Sequence, residues 1–348
     1  MKNGAKISRP IIKHWGEDKM RDKILKVLVD NSNKFLSGEA ISSFLGITRS
    51  AVWKHIRSLQ RDGFEIESRP GLGYRLISFP EELDQVTLTE IMETQIIGKR
   101  IEVHQAIDST NNRARELALE GVEEGTLIIA ETQLEGRGRL GRNWISPKGK
   151  GIWMSLILRP NLPPDQAPRI TAIAAVAIRK ALNRATGLDI GIKWPNDIII
   201  DGKKVCGILT EMHADIDRIH YVVVGMGINV NMTQKDFPTD ISSTATSLRI
   251  ALNRSLDRRQ LIALIMEEIE EVYLKYLENR DFEQILHQCR QYSVTLNRSV
   301  KVIGRDSTFE GVAIDFDEDG ALLVKTHDGN IIKVMSGDVS VRGEQGYV

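Results

Sequence analysis

The chain has 348 residues and a mass of 39.1 kDa, with 47 Lys and Arg against 47 Asp and Glu. Apolar residues make up 41% and charged residues 27%, the composition of a core-forming protein, which excludes global disorder; the length implies two or three domains. No run approaches the roughly 18 apolar residues of a membrane span, the first twenty residues lack the apolar stretch of a secretory signal, and Cys206 and Cys289 lie too far apart for a disulfide scaffold, so a reducing, cytoplasmic setting is expected.

Charge is unevenly placed: residues 1–80 hold 15 Lys and Arg against 8 Asp and Glu, a basic module ahead of an acidic body. Residues 1–19 read as an extension with no assignable role. Residues 20–36 repeat apolar side chains at Ile24, Leu25, Val27 and Leu28, which predicts a helix with one buried stripe. Ser37 can cap a second helix, Glu39 to Leu45, with Ile41, Phe44 and Leu45 inward, and Gly46 supplies the turn. Thr48 is the N-cap candidate of a third helix that ends at Gly63; Val52, Ile56 and Leu59 fall on one face, and Arg49, Lys54, Arg57 and Arg61 stay outside. FEIESRPGLGYRLI then reads as two short strands around a Pro-Gly tip. Together these elements predict a winged helix-turn-helix over residues 20–80. Such a helix enters the DNA major groove with its first turns, so Arg49, Ser50, Trp53 and Lys54 are candidate DNA contacts. Protein contacts are the alternative use of the fold, and Trp53 is alternatively an interhelical filler.

From residue 81 to 296 strands alternate with helices, a mixed α/β pattern. IEVHQAI, TLIIAET, IGIKW and YVVVGMGINV read as strands, Asn111–Glu120 and Ile170–Leu182 as helices, and DIIIDGKKVCGILTEM as a hairpin turning at Asp201-Gly202. Four segments carry chemistry. Gln133 to Trp144 interleaves three Gly with three Arg, a loop whose backbone can approach a ligand while guanidiniums fork onto phosphate or carboxylate oxygens. Such a loop should be mobile until an anion arrives; a basic linker is the bland alternative, disfavoured by Trp144 and Trp153 close by. Lys193-Trp194-Pro195-Asn196-Asp197 ends a strand, with Pro195 aiming the Asn and Asp. Lys204 lies on the second hairpin strand, where alternation sends it to the opposite face from Lys203; two solvated lysines would look the same from spacing alone. Asp108-Ser109-Thr110-Asn111-Asn112 is a strand-to-helix junction rich in capping residues, and capping alone would occupy one or two of them. The seven histidines have no metal-ligand spacing, so no metal site is expected.

Residues 255–292 predict one long amphipathic helix (Leu261, Leu264, Ile265, Ile269, Val272 and Tyr276 inward) and a shorter one. From 297 to 348, VKVIG, FEGVAIDF, ALLVKT, IIKVM and VSVR are short strands with turns at Asp319-Gly320, Asp328-Gly329 and Gly337-Asp338, which predicts a small barrel.

GRGRLGRNW, KWPND, the KKVCGILTE hairpin, GMGIN and the DSTN junction together resemble biotin–protein ligases, and the leading winged helix resembles the bifunctional bacterial class that also represses the biotin operon. The resemblance runs from about residue 20 to the C-terminus. It implies a central catalytic domain of the class II synthetase-like kind and an SH3-like C-terminal β-barrel. It implies that biotin's carboxylate is joined to the α-phosphate of ATP, with Mg²⁺ on the phosphates, and that biotin then passes to a lysine of a biotin carboxyl carrier protein. By matching motif, Ser109, Thr110 and Asn111 would hold the ureido head; Gln133, Arg137, Gly138 and Arg139 would bind the valerate side and the phosphate. Lys204 matches the essential lysine of the biotin site, Trp144 would flank the adenine, and Asn196 and Asn229 belong to the nucleotide region. The chemistry agrees: a carboxylate attacking a triphosphate needs fixed positive charge, which Lys204, Arg137 and Arg139 can supply, and Asp197 can take the proton of the incoming lysine.

The expected function is therefore that of a ligase and repressor whose adenylate-bound form is a homodimer on operator DNA, with no membrane partner. Three other readings remain open at this stage: a ligand-sensing repressor without catalysis, a ligase for another acid such as lipoate, and a ligase whose winged helix never touches DNA.

Overall fold

The computed structural model describes residues 20–31, 34–61, 63–79, 82–304, 308–336, 340–343 and 347. The 1–19 extension and the Gly337-Asp338 turn lie outside these residues.

Helix α1 (Met20–Asp30) buries Ile24, Leu25, Val27 and Leu28 as expected. It stops at Asp30 instead of running to Leu36. The Asn31 side-chain amide donates to the Val27 carbonyl at 2.9 Å, satisfying an end-of-helix acceptor, and Leu36 is drawn into a backbone bridge with Tyr74. Ser37 caps α2 (Gly38–Leu45) by accepting from Ala40 N, and Gly46 ends it at φ 68°. The stripe through Ile41 and Leu45 leaves Phe44 at its rim, 55% exposed and not inward as the spacing suggested. Thr48 accepts from Ala51 N and starts α3 (Arg49–Arg61), which buries Val52, Ile56 and Leu59. Strands β1 (Glu65–Arg69) and β2 (Gly73–Ser78) pair antiparallel as the wing. These elements close their own core, separate from the rest of the chain.

The body follows with α4 (Gln85–Ile91), β3 (Ile101–His104), α5 (Thr110–Leu119), β4 (Leu127–Ala130), β5 (Gly151–Leu158), α6 (Ala167–Thr186), β6 (Gly191–Lys193), β7 (Asp197–Ile200), β8 (Lys203–Ala214), β9 (Ile219–Asn229), α7 (Leu248–Leu252), α8 (Arg258–Asn279) and α9 (Glu283–Gln291). Seven strands form one sheet in the order β3-β4-β5-β9-β8-β7-β6; only β3 and β4 run parallel. Asp201 (φ 48°) and Gly202 (φ 73°) make the left-handed pair that the β7–β8 turn demands. β5, with no separate signal in the sequence, is buried at every position because it lies mid-sheet with both faces covered. Its even-numbered residues Ile152, Met154 and Leu156 join the core under α6 and α8, whereas Ile157 packs with α5 on the other face.

The C-terminal strands β10 (Ser299–Ile303), β11 (Thr308–Phe316), β12 (Leu322–Thr326), β13 (Ile331–Val334) and β14 (Ser340–Gly343) are all antiparallel, in the order β13-β12-β11-β10-β14. Among the described residues the two four-residue edge strands, β13 and β14, do not pair with each other, so the expected barrel is an open five-stranded sheet. Val300, Val302, Phe316 and Leu322 share the core of α8 and α9, so this sheet and the body are one packed unit. Among the described residues, no helix is long and apolar enough to cross a membrane.

Candidate functional site

The sheet face opposite α6 is hollow, and glycine makes it so. Gly207 on β8 and Gly225 and Gly227 on β9 alternate onto this face. A Cβ on Gly227 would lie 2.4 Å from the Trp144 ring, one on Gly225 2.2 Å from Asn111 Oδ1, and one on Gly207 2.9 Å from both the Lys204 side chain and the Trp144 ring. Over this floor lies a cavity of about 440 Å³, lined by Ser109, Thr110, Asn111, Gln133, Arg137, Gly138, Arg139, Trp144, Asn196, Asp197, Lys204 and Asn229 among others. All the ligand-site residues expected from the sequence are thus brought together.

One end is polar and built on the N-terminus of α5. Ser109 occupies the N-cap position, yet its buried hydroxyl makes no capping bond and remains available. Thr110 donates through its backbone N (2.9 Å) and hydroxyl (3.1 Å) to Gln133 Oε1, and Gln133 Nε2 donates to Ser146 Oγ at 3.1 Å. Behind them Ser155 Oγ lies 2.7 Å from Thr110 Oγ1 and 2.6 Å from Asn111 Oδ1. Asn111 Nδ2 donates to Glu211 Oε2 at 2.7 Å.

The other end is cationic. The Gly-Arg loop folds back on itself: Trp144 N donates to the Gly136 carbonyl (2.8 Å) and Gly138 N to that of Arg142 (2.7 Å), with Leu140 (φ 57°) and Gly141 (φ 70°) at the tip. The loop expected to be loose is therefore a small hairpin held by its own backbone. Arg139 reaches across to Asn196 Oδ1 (3.1 Å) and to the Ser336 carbonyl, joining the loop, the KWPND turn and the C-terminal sheet. Arg137 is half-exposed, 3.6 Å from Glu135. Lys204 is set by backbone bonds to Thr244 and Thr246; its ammonium lies 2.5 Å from Asp197 Oδ1 and 5.1 Å from the Trp144 ring centre.

Burial would raise the Asp197 carboxyl, but the charge and hydrogen bond of Lys204, with the Tyr347 hydroxyl and Lys193, outweigh it and hold the group below the usual carboxylate range. Lys193 is buried, and that burial lowers its ammonium to about 7; Asp197 opposes the shift, while Arg342, Lys204 and Arg142 add to it. Its ammonium sits 3.5 Å from the centre of the Tyr347 ring. Trp144 packs edge-on against Trp153 at 6.4 Å, and among the described residues its buried indole N–H has no partner, a donor left for a ligand. Asn196 and Asn229 are anchored by their amides to the carbonyls of Ile208 (2.6 Å) and Thr246 (3.0 Å). Sequence reasoning missed Lys193, Ser155, Glu211 and Tyr347. Lys193 stood inside a quoted motif, and the alternation of β5 and β8 could have put Ser155 and Glu211 on the site face; nothing in the sequence marked Tyr347.

On the separate N-terminal unit, Arg49, Ser50, Trp53 and Lys54 are all exposed on the first turns of α3. Trp53 is 54% exposed, with the Arg57 guanidinium 5.6 Å from its ring centre, so it does not fill an interhelical gap. Among the described residues no group of three or more His, Cys, Asp or Glu is arranged to hold a metal ion.

Known proteins are similar to this chain over most of its length. Residues 103–229 match the biotin/lipoate A/B protein ligase family, residues 21–75 an HTH domain, and residues 295–342 the biotin protein ligase C terminal domain. The bifunctional ligase/repressor BirA of Bacillus subtilis is 39% identical over 92% of this chain and 98% of its own, and that of Escherichia coli 30% identical over 93% and 97%. The biotin protein ligase from Aquifex aeolicus, solved in complex with biotin and ATP, superimposes with a TM-score of 0.62 at 29% identity, over 71% of this chain and all of that one. The chain belongs to the biotin–protein ligase family, in its bifunctional ligase/repressor branch.

Proposed function

We propose that this protein is an ATP-dependent biotin–protein ligase that also represses transcription, with residues 20–80 as its DNA-binding domain, 81–296 as its catalytic domain and 297–348 as its C-terminal domain. The observation that carries the reading is the single cavity that joins a polar pocket at Ser109, Thr110 and Gln133 to the cations of Lys204, Arg137 and Arg139. A biotin molecule has those two ends: a ureido ring that needs hydrogen-bond partners and a carboxylate that needs positive charge.

In the first step a carboxylate oxygen of biotin attacks the α-phosphorus of ATP. The bond to the β-phosphate breaks, pyrophosphate leaves and biotinyl-5′-adenylate remains. Two anions must meet, so preorganised positive charge in a partly dry site is the main requirement. Lys204 is suited to it because a rigid strand and Asp197 hold its ammonium in place. Arg137 and Arg139 bring charge from the loop. Mg²⁺, when bound with the triphosphate, neutralises part of its charge. Trp144, with its free indole N–H, flanks the adenine, and Asn196 and Asn229 frame the nucleotide. In the second step the amine of a carrier-protein lysine attacks the acyl carbon, AMP leaves and one proton is lost. Asp197 is the candidate acceptor of that proton, and Lys193, whose ammonium is lowered to about 7, is another in its unprotonated form.

Repression follows from a second state. Adenylate that tightens the Arg139 loop favours a homodimer, and paired α3 helices then read a palindromic operator through Arg49, Ser50, Trp53 and Lys54. The cell compartment that fits this activity is the cytoplasm. Mass spectrometry of a biotin carboxyl carrier domain, incubated with the protein, biotin and ATP, tests the ligase reading. One biotinyl group on one lysine supports it; no mass gain overturns it.

A further inference from the structure

At the polar end of the cavity, hydrogen bonds run in a chain whose direction is set from outside the site. Glu211, on β8, is not among the residues that line the cavity. A carboxylate oxygen accepts hydrogen bonds. Asn111 Nδ2 lies 2.7 Å from Glu211 Oε2 and 3.4 Å from the Leu209 carbonyl, both acceptors, so the amide nitrogen faces β8 and Oδ1 faces Ser155. Turning the amide over would set its oxygen against the carboxylate. Ser155 Oγ is fully buried and has one proton for two neighbours, Asn111 Oδ1 at 2.6 Å and Thr110 Oγ1 at 2.7 Å. Asn111 Oδ1 can only accept, so it takes the proton. Thr110 donates its own proton within the protein, to Gln133 Oε1 at 3.1 Å, and with the Ser155 proton drawn to Asn111 its oxygen is not taken up by Ser155. Its free lone pair is what the cavity meets.

We infer that Glu211 is a positioning residue that sets ligand specificity: through Asn111 and Ser155 it presents Thr110 as an acceptor, so the pocket selects a head group that carries an N–H. This rests on the ligase reading, in which that head is the ureido ring of biotin. It deepens that reading by naming a residue that touches no substrate. Arg115, 3.6 Å from Glu211, is the one cation paired with it among the described residues and leaves Oε2 to Asn111.

Biotin-dependent ATP–pyrophosphate exchange by the full-length protein tests it. Glu211→Met removes the acceptor at similar length. It is expected to raise KM for biotin about tenfold while kcat stays within about threefold, the signature of lost ground-state binding. Glu211→Gln keeps an acceptor in Oε1 and should hold KM near the wild-type value. In a Thr110→Val background, which lacks the receiving hydroxyl, Glu211→Met should add nothing further. Should Glu211→Met fold poorly, Ser155→Ala interrupts the same chain and should raise KM alike. The inference is overturned if Glu211→Met leaves KM unchanged, if its effect persists undiminished in the Thr110→Val background, or if Glu211→Gln is as impaired as Glu211→Met. Those results arise with an active wild type. A wild type that performs no biotin-dependent exchange removes the ligase reading itself, and this inference with it.

Discussion

Lys193 and Lys204 stand near one carboxylate, and the pairing decides their states. Lys204 holds Asp197 at 2.5 Å. Lys193 is 4% exposed, faces an aromatic ring and lies close to three other cations, so its proton is held weakly, at about 7. The consequence for stability has a definite sign. The unfolded chain binds this proton up to the ordinary lysine value of 10.5, whereas the folded chain releases it near 7. Between those values the unfolded state binds more protons, so stability rises with pH; below about 7 the full cost of burying the ammonium remains. Lys193→Met should therefore raise Tm most at pH 6, with the advantage shrinking by pH 9. Thermal melts at both values check this, and an advantage independent of pH would contradict it. From sequence, Lys204 was legible only through the resemblance: alternation back from Gly207 on the site face would favour Lys203, and the register shift opposite Ile198 and Ile199 puts Lys204 there instead. The depressed Lys193 was not, because burial depends on strands and a C-terminal residue that meet only in the fold.

At the scale of elements, the loop from Gly136 to Trp144 and the strands β8 and β9 act as one device. The loop delivers Trp144 onto a floor from which three glycines have removed every side chain. Gly227→Ala would place a methyl 2.4 Å from the indole, so the ring must lift away. We expect KM for ATP to rise about tenfold or more, with a smaller effect on KM for biotin, since an active-site displacement of about 1 Å can cost 10²-fold; steady-state kinetics with each substrate varied will show it. Unchanged ATP kinetics would mean that Trp144 does not flank the nucleotide. Most elements were legible. The N-caps Ser37 and Thr48, the Asp201-Gly202 turn and the stripe of α3 each have a local cause within a few residues. What failed had non-local causes: α1 ended early because Leu36 pairs with Tyr74 in the wing, and Phe44 stayed outside because a short helix has a narrow buried face. β5 gave no separate signal because both of its faces are covered.

Across the whole molecule, a buried ion pair braces the body where the chain enters it from the winged helix. Glu131 follows β4 at the edge of the site, fully buried; it takes two hydrogen bonds from Arg258 at 3.0 Å each and a third from Leu83 N, in the segment that joins the winged helix to the body. Gly149 N, at 3.1 Å, ties the start of β5 to the same carboxylate. The neighbouring Arg259 reaches the Phe64 ring of the N-terminal unit at 5.4 Å. Arg258→Met leaves an uncompensated buried carboxylate, and we expect a loss of about 3–5 kcal/mol in chemical denaturation; a loss under about 1 kcal/mol would mean that the pair is not structural. The two-core organisation was legible from the charge asymmetry and the change of pattern near residue 81, whereas this junction was not, because Glu131 and Arg258 are far apart in sequence. The central claim is that one cavity activates the carboxylate of biotin with the phosphates of ATP, with Lys204 opposite the charge that develops. ATP–pyrophosphate exchange measured with biotin, with lipoate and with neither tests it most directly. The account predicts exchange only with biotin, reduced about 10²-fold or more by Lys204→Ala while the Tm holds; exchange that proceeds equally with lipoate, or that survives Lys204→Ala intact, would contradict it.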